Sequence, residues 1–83
     1  MVAFFSATWS DDCRLINPSV EKDAKDFPQV IFVKVDVDEL PNVAKKYQVS
    51  SEPTFTFFEK GAIVDKYVGK DITVLRNLIS KHV

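Results

Sequence analysis

The stretch VAFFSA, from Val2 to Ala7, restricts the fold more than any other segment, because it is apolar almost throughout. A strand with one face in solvent would alternate apolar and polar residues. An uninterrupted apolar run is typical of a strand that is buried on both faces. Such strands occur in parallel sheets covered by helices on both sides, so this run indicates an α/β fold.

A helical pattern follows this strand. Ser10 is a good N-cap, and the two aspartates after it suit the first turn of a helix. Pro18 should kink the helix and Pro28 should end it. Apolar residues recur at steps of three and four, which predicts one buried helix face formed by Cys13, Ile16, Val20, Ala24 and Phe27.

The rest of the chain continues the alternation. VIFVKVDVD, residues 30–38, predicts a second strand that is partly exposed at its end. DELPNVAKKYQV has a capping acid, an early proline and an apolar face at Val43, Ala44 and Tyr47, and it predicts a short helix. Two β-rich runs around Lys60-Gly61 predict a hairpin, and a last helix begins at Asp71.

The predicted order is therefore β-α-β-α-β-β-α within one domain, residues 1–83. The first β-α-β unit should be a right-handed parallel crossover, since nearly all such connections are right-handed. The hairpin adds two antiparallel strands. We expect a mixed four-stranded sheet with helices on both faces.

Charge and cysteine content exclude several classes of protein. The chain has 11 Lys+Arg against 12 Asp+Glu, so it offers no electrostatic reason to bind nucleic acid or an anionic membrane. Its single cysteine allows neither an internal disulfide nor a zinc cluster, and we expect no metal and no cofactor. We expect neither a membrane span nor a signal peptide, because the apolar runs are short and the first ten residues lack a basic lead. We expect a reducing compartment, the cytoplasm or the nucleus.

Four segments resemble one known family. FSATW is followed by a turn that ends at Cys13 and by Pro18 five positions later; VKVDVDE, PTFTFFEKG and YVGK come after it. In this order and spacing they resemble the thioredoxin family over essentially the whole chain. Within the family, these segments most resemble those of cytosolic eukaryotic thioredoxins and of the thioredoxin-like domain of monothiol glutaredoxins. The resemblance implies a truncated thioredoxin fold that begins at the family's second strand and lacks its first strand and helix.

The departures from the family pattern concern its chemistry. The chain has W-S-D-D-C where the family usually has W-C-G-P-C, so Ser10 occupies the position of the nucleophilic cysteine. Phe4 stands where the family usually buries an aspartate that handles protons for the thiols. Lys34 matches the lysine that often partners that aspartate, and here that partner is missing.

Thioredoxin-type reduction needs two thiols, one to attack the substrate disulfide and one to resolve the mixed disulfide. Cys13 matches the resolving position and is the only candidate catalytic thiol. A serine hydroxyl forms no disulfide, so Ser10 should be inactive in this role. The two carboxylates before Cys13 disfavour a thiolate, and we expect a poor nucleophile.

The resemblance also implies a binding groove beside a cis-proline at Pro53, where the family pairs with an extended protein segment. By resemblance the groove comprises Trp9, Ser10, Asp11, Asp12, Cys13, Glu52, Pro53, Val68, Gly69 and Lys70. Three of these residues are acidic, which predicts an acidic groove that prefers basic segments. A simpler interpretation stays open, in which Ser10, Asp11 and Asp12 are only a good helix start and Cys13 is a small core residue.

Two functions follow from these residues. In the first, the chain is a protein-binding or redox-regulatory module with little or no reductase activity. In the second, it is a weak monothiol protein-disulfide oxidoreductase that works through Cys13 in cell redox homeostasis. A degenerate product without activity is a third reading. Because the family's first strand pairs with the strand matched by residues 30–37, we also expect a homodimer through that open edge.

Overall fold

A computed structural model describes residues 1–47, 49 and 53–82. The element order is the predicted one, and the fold class is confirmed as α/β. None of the described helices is long and apolar enough to cross a membrane. The elements are β1 (Val2–Ser6), α1 (Asp11–Asp26), β2 (Phe32–Asp36), α2 (Pro41–Lys46), β3 (Thr54–Glu59), β4 (Ala62–Val68) and α3 (Ile72–Lys81).

The four strands form one mixed sheet in the order β2-β1-β3-β4. β1 and β2 run parallel, as predicted for the first β-α-β unit. β3 is antiparallel to both of its neighbours, so the hairpin extends the sheet on the other side of β1. The carboxyl end of β1 therefore lies inside the sheet, and the turn that follows it is bordered by segments from both sides.

All five residues of β1 are buried, which confirms the interpretation of the VAFFSA run. Their side chains alternate between two apolar layers. Val2 and Phe4 belong to the layer that contains residues of α1 and α3, whereas Ala3 and Phe5 belong to the layer completed by Val35. Residues of α2 and its C-cap pack against the second layer, so helices cover both faces of the sheet.

The caps of the two longer helices agree with the sequence. The Ser10 side chain accepts a hydrogen bond from the Cys13 backbone N–H at 3.4 Å and caps α1. The Asp71 carboxylate accepts from the backbone N–H groups of Thr73 and Val74 at 3.0 and 3.4 Å and caps α3. α1 continues through Pro18 to Asp26.

The prediction that an acidic side chain caps α2 is wrong. The N-cap is Leu40, which makes no side-chain capping hydrogen bond. The nearby carboxylate of Asp36 instead accepts from the backbone N–H groups of Asp38 and Glu39, at 2.9 and 3.4 Å. Asp36, which precedes the predicted helix segment, thus stabilises a local turn at the end of β2. β2 itself is shorter than the predicted 30–38 and spans Phe32–Asp36.

The hairpin turns at the predicted dipeptide. Lys60 has φ +52° and Gly61 has φ +80°, so both central residues are left-handed, as the type I′ turn of a two-residue hairpin requires. A bulge between Phe57 and Phe58 shifts the register of β3 against β4.

Candidate partner-binding site

The turn between β1 and α1 carries the W-S-D-D-C segment. Trp9 is 66% exposed, although tryptophan is usually well buried. The Ser10 backbone N–H donates to the Ala7 carbonyl at 3.1 Å, and its side chain caps α1. The hydroxyl at the nucleophile position is therefore engaged in an ordinary structural role, and the indole beside it faces solvent.

Cys13 lies one turn into α1 and is only 3% exposed. It borders an open depression of about 280 Å³. Both polar and apolar residues line the depression: Ser6, Ala7, Thr8, Cys13, Arg14, Asn17, Pro18 and Lys34. Cys13 is thus nearly enclosed at the wall of a recess that polar and apolar residues share.

The two aspartates of the turn both have cationic neighbours. Asp11 pairs with Arg14 one turn along the same helix. Asp12 pairs with Lys70, whose Nζ lies 3.1 Å from Asp12 Oδ1 although the two residues are 58 positions apart. The acidic groove expected from the sequence stays a prediction, and two of its three carboxylates have a cationic partner. Glu52, the third acid, lies outside the described residues.

The loop after β4 is bound to the proline loop by its backbone. The Gly69 N–H donates to the Pro53 carbonyl at 3.0 Å, and Pro53 is buried. Gly69 has φ +151°, and a Cβ there would lie 2.7 Å from the Tyr67 hydroxyl oxygen, so glycine is required at this position. Val68, just before it, is 48% exposed. The predicted cis peptide joins Glu52 to Pro53, and it too lies outside the described residues.

These contacts bring most of the sequence-predicted site together. Lys70 joins the loop after β4 to the start of α1, and Gly69 joins the same loop to Pro53. The exposed side chains of Trp9 and Val68 belong to two of these three segments. Three separate parts of the chain thus border one surface.

An apolar stack occupies the position where the resemblance placed a proton-handling acid. Phe4 is 2% exposed, and its ring lies nearly parallel to that of Phe55 with centroids 4.7 Å apart. Lys34, beside Phe4 in the parallel register, donates from Nζ to Asn17 Oδ1 at 3.0 Å. The lysine therefore has an amide partner in place of a carboxylate.

Among the described residues, no group of three or more His, Cys, Asp and Glu side chains is placed to hold a metal ion.

Sequence reasoning missed a charged cluster at the end of α3. His82 Nε2 lies 3.2 Å from Asp65 Oδ2, and its Nδ1 lies 3.4 Å from Glu59 Oε1. The hydrogen bond with His82, helped by the Lys66 backbone N–H and the nearby Lys81 charge, holds the pKa of Asp65 below its usual value of 3.8. Only the tertiary fold brings these residues together, so the sequence around His82 showed no more than a helix end.

Comparison with known proteins shows which family this chain is similar to. The family model described as Thioredoxin matches residues 1–81. A rice protein, Thioredoxin H-type from Oryza sativa subsp. indica, is 51% identical over 79 residues, which are 95% of this chain and 65% of that protein. Thioredoxin H1 of Arabidopsis thaliana is 43% identical over 82 residues, 99% of this chain and 72% of that protein.

Solved structures agree. The X-ray structure of Fasciola hepatica thioredoxin superposes with a TM-score of 0.97 at 45% identity and covers 99% of this chain and 79% of that one. NaTrxh from Nicotiana alata superposes with a TM-score of 0.96 at 37% identity and covers 98% and 70%. The chain thus spans less than two thirds of the rice protein and about three quarters of these solved structures.

Proposed function

The chain belongs to the thioredoxin family, and within that family we propose that it is a protein-binding module with little or no disulfide reductase activity. It holds an extended segment of a partner protein in the groove between the Trp9 turn, the Pro53 loop and the loop at Gly69. We place this function in the cytoplasm or nucleus, where a lone thiol stays reduced.

This proposal rests on the residues at two positions, Ser10 and Cys13. A thioredoxin-type reaction begins with a solvent-facing thiolate, which attacks the substrate disulfide. Here that position is Ser10, and its oxygen caps a helix. The one cysteine of the chain is 3% exposed, so no thiol meets a large substrate at this surface.

The binding half of the proposal rests on what the groove offers. Trp9 and Val68 expose apolar surface, and tryptophan is among the residues that dominate binding energy in protein interfaces. The backbone hydrogen bond from Gly69 to Pro53 joins two of the surrounding segments. A surface that is held in place loses little entropy when a partner binds.

An insulin-disulfide reduction assay with thioredoxin reductase and NADPH tests the catalytic half. We expect turnover at the background of the assay without this chain, with an H-type thioredoxin as the positive control. Turnover comparable to that control would disprove the proposal. A pull-down cannot replace this assay, because a reductase also binds its substrates.

A second candidate is the monothiol oxidoreductase, and the recess beside Cys13 favours it. A small disulfide such as oxidised glutathione fits the chemistry of a recess that includes Arg14 and Lys34. The Cys13 thiolate would attack one sulfur, form a Cys13–glutathione disulfide and release one glutathione thiolate. A thiolate of a partner protein would then attack the glutathione sulfur, release the Cys13 thiolate and keep the glutathione as a mixed disulfide, so that oxidised glutathione is the oxidant and the partner thiol is oxidised.

Mass spectrometry separates the two candidates. The folded chain is incubated with oxidised glutathione, and the adduct mass is followed over time. The same incubation in urea gives the rate for the unprotected thiol. An adduct that forms in the folded chain as fast as in urea supports the monothiol candidate, and a folded chain that resists modification supports the binding module.

A further inference from the structure

Lys70 lies between the starts of two helices. It comes immediately before Asp71, the N-cap of α3, and its Nζ reaches Asp12 Oδ1 at the second position of α1. Both side chains remain accessible, at 57% and 50% exposure. This ion pair is therefore open to competition from a partner that enters the groove.

The two ends of this ion pair differ in what else stabilises them. A helix N-terminus favours negative charge and disfavours positive charge, because its first backbone N–H groups are unpaired. Asp12 lies in the first turn of α1 and is stabilised there without Lys70. Lys70 lies just ahead of α3, where a cation gains nothing from the helix. If the pair opens, Asp12 keeps the stabilisation of the helix N-terminus, and Lys70 is free to contact a carboxylate of the partner.

We propose that Lys70 is the residue that determines charge specificity in this groove, and that the bound segment carries a carboxylate which takes Lys70 from Asp12. The inference rests on the proposed function, since it names the class of segment that the same groove binds. It reverses the preference for basic segments that the sequence alone suggested.

The neighbours of Lys70 define the rest of the segment. Val68 precedes it by two residues and Trp9 precedes Asp12 by three, and both are exposed. Exposed apolar side chains thus lie close in sequence to both ends of the Lys70–Asp12 pair. The chemistry that fits is an extended peptide with one acidic residue flanked by apolar residues.

A random seven-residue peptide library displayed on phage tests this on the whole chain. We expect the wild-type chain to enrich peptides in which one Glu or Asp is flanked by apolar residues. An enriched peptide and its Glu-to-Gln counterpart are then titrated against the chain. Trp9, the single tryptophan, reports binding by its fluorescence.

Three variants identify the contact. Lys70→Met should weaken binding of the acidic peptide about two- to fivefold, the usual range for one exposed charge pair. Asp12→Asn should strengthen it, because it removes the competing carboxylate. Lys60→Met, which removes an exposed lysine in the hairpin turn, should leave it unchanged.

Each other outcome overturns the inference. Enrichment of basic or uncharged peptides that still shift Trp9 fluorescence would leave the binding module in place and reject the role of Lys70. Equal loss of binding in Lys70→Met and Lys60→Met would show a general charge effect. Failure of the chain to enrich any peptide above an empty support would remove the proposed function and this inference together.

Discussion

Arg76 Nε donates a hydrogen bond to Asp23 Oδ1 at 2.7 Å and joins α3 to a fully buried carboxylate of α1. The second oxygen, Asp23 Oδ2, has no hydrogen-bond partner within the described part of the chain. The arginine side chain is 41% exposed, so water can hydrate it, while the aspartate depends on it. The two partners should therefore respond very differently to mutation.

Arg76→Met should lower the free energy of unfolding by about 3 kcal/mol, because it leaves a buried carboxylate without its counter-ion. Asp23→Leu should cost little, since it removes the buried charge and leaves a hydrated arginine. The double variant should equal or exceed the wild type, as apolar replacements of buried ion pairs often do. Urea unfolding with matched slopes would measure all three. A larger loss for Asp23→Leu than for Arg76→Met would contradict this account.

Restoring the missing thiol tests how much of the family chemistry the rest of the site supports. Ser10→Cys gives the chain two cysteines, but Phe4 still stacks on Phe55 at the position where the resemblance implies a proton-handling acid. Since a positioned acid–base group contributes about 10²–10⁴-fold, insulin reduction by this variant should stay about a hundredfold below that of an ordinary thioredoxin.

Ser80→Cys, which adds a thiol at an exposed position of α3, is the matched control and should stay at background. Full family-level turnover by Ser10→Cys would mean that the acid is dispensable here.

Stability at low pH should depend on the contact between His82 and Asp65. The pKa of Asp65 is lowered in the folded chain, mainly by its hydrogen bond with His82. The ionised carboxylate therefore contributes stability above the ordinary Asp value of about 4. That contribution is lost as the pH falls through the lowered value. His82→Gln should make the decline in Tm below pH 4 shallower, whereas Asn77→Gln on the same helix should not. Melting curves from pH 2 to 6 would detect the difference, and parallel declines would refute it.

The edge of β2 should support self-association of the 83-residue chain. β2 pairs only with β1 within the described sheet, and Ile31 and Val33 near it are 66% and 39% exposed. Unpaired, apolar edge strands pair readily with other chains. Sedimentation equilibrium should show a dimer that Val33→Lys disrupts. Val64→Lys, an equally exposed valine on the opposite edge strand, should not disrupt it. A monomer at every concentration would exclude this interface.

The sequence predicted the elements that depend on local patterns. The apolar run of β1, the cap at Ser10 and the turn at Lys60-Gly61 each need only neighbouring residues to form, and all were confirmed. The predicted cap of α2 failed because the N-cap position falls on Leu40, two residues after Asp38, and a leucine side chain accepts no hydrogen bond.

The charged contacts of the site depend on distant segments. The residues that flank Asp12 and Asp65 do not indicate that these carboxylates pair with Lys70 and His82. The sequence therefore suggested an acidic groove, because only the acidic residues could be counted. Asp23 is different. It lies three residues after Val20 and four before Phe27, on the buried face of α1, and this spacing could have revealed it.

The position of β1 between β2 and β3 has a consequence during synthesis of the chain. Val2 pairs with Phe57, which follows it by 55 residues. At typical elongation rates of about 5–20 residues per second, β1 waits on the order of 3–11 s for its second partner strand to be made. In that interval one edge of this apolar strand has no neighbouring strand. The sheet of the nascent chain therefore closes only after β3 has emerged.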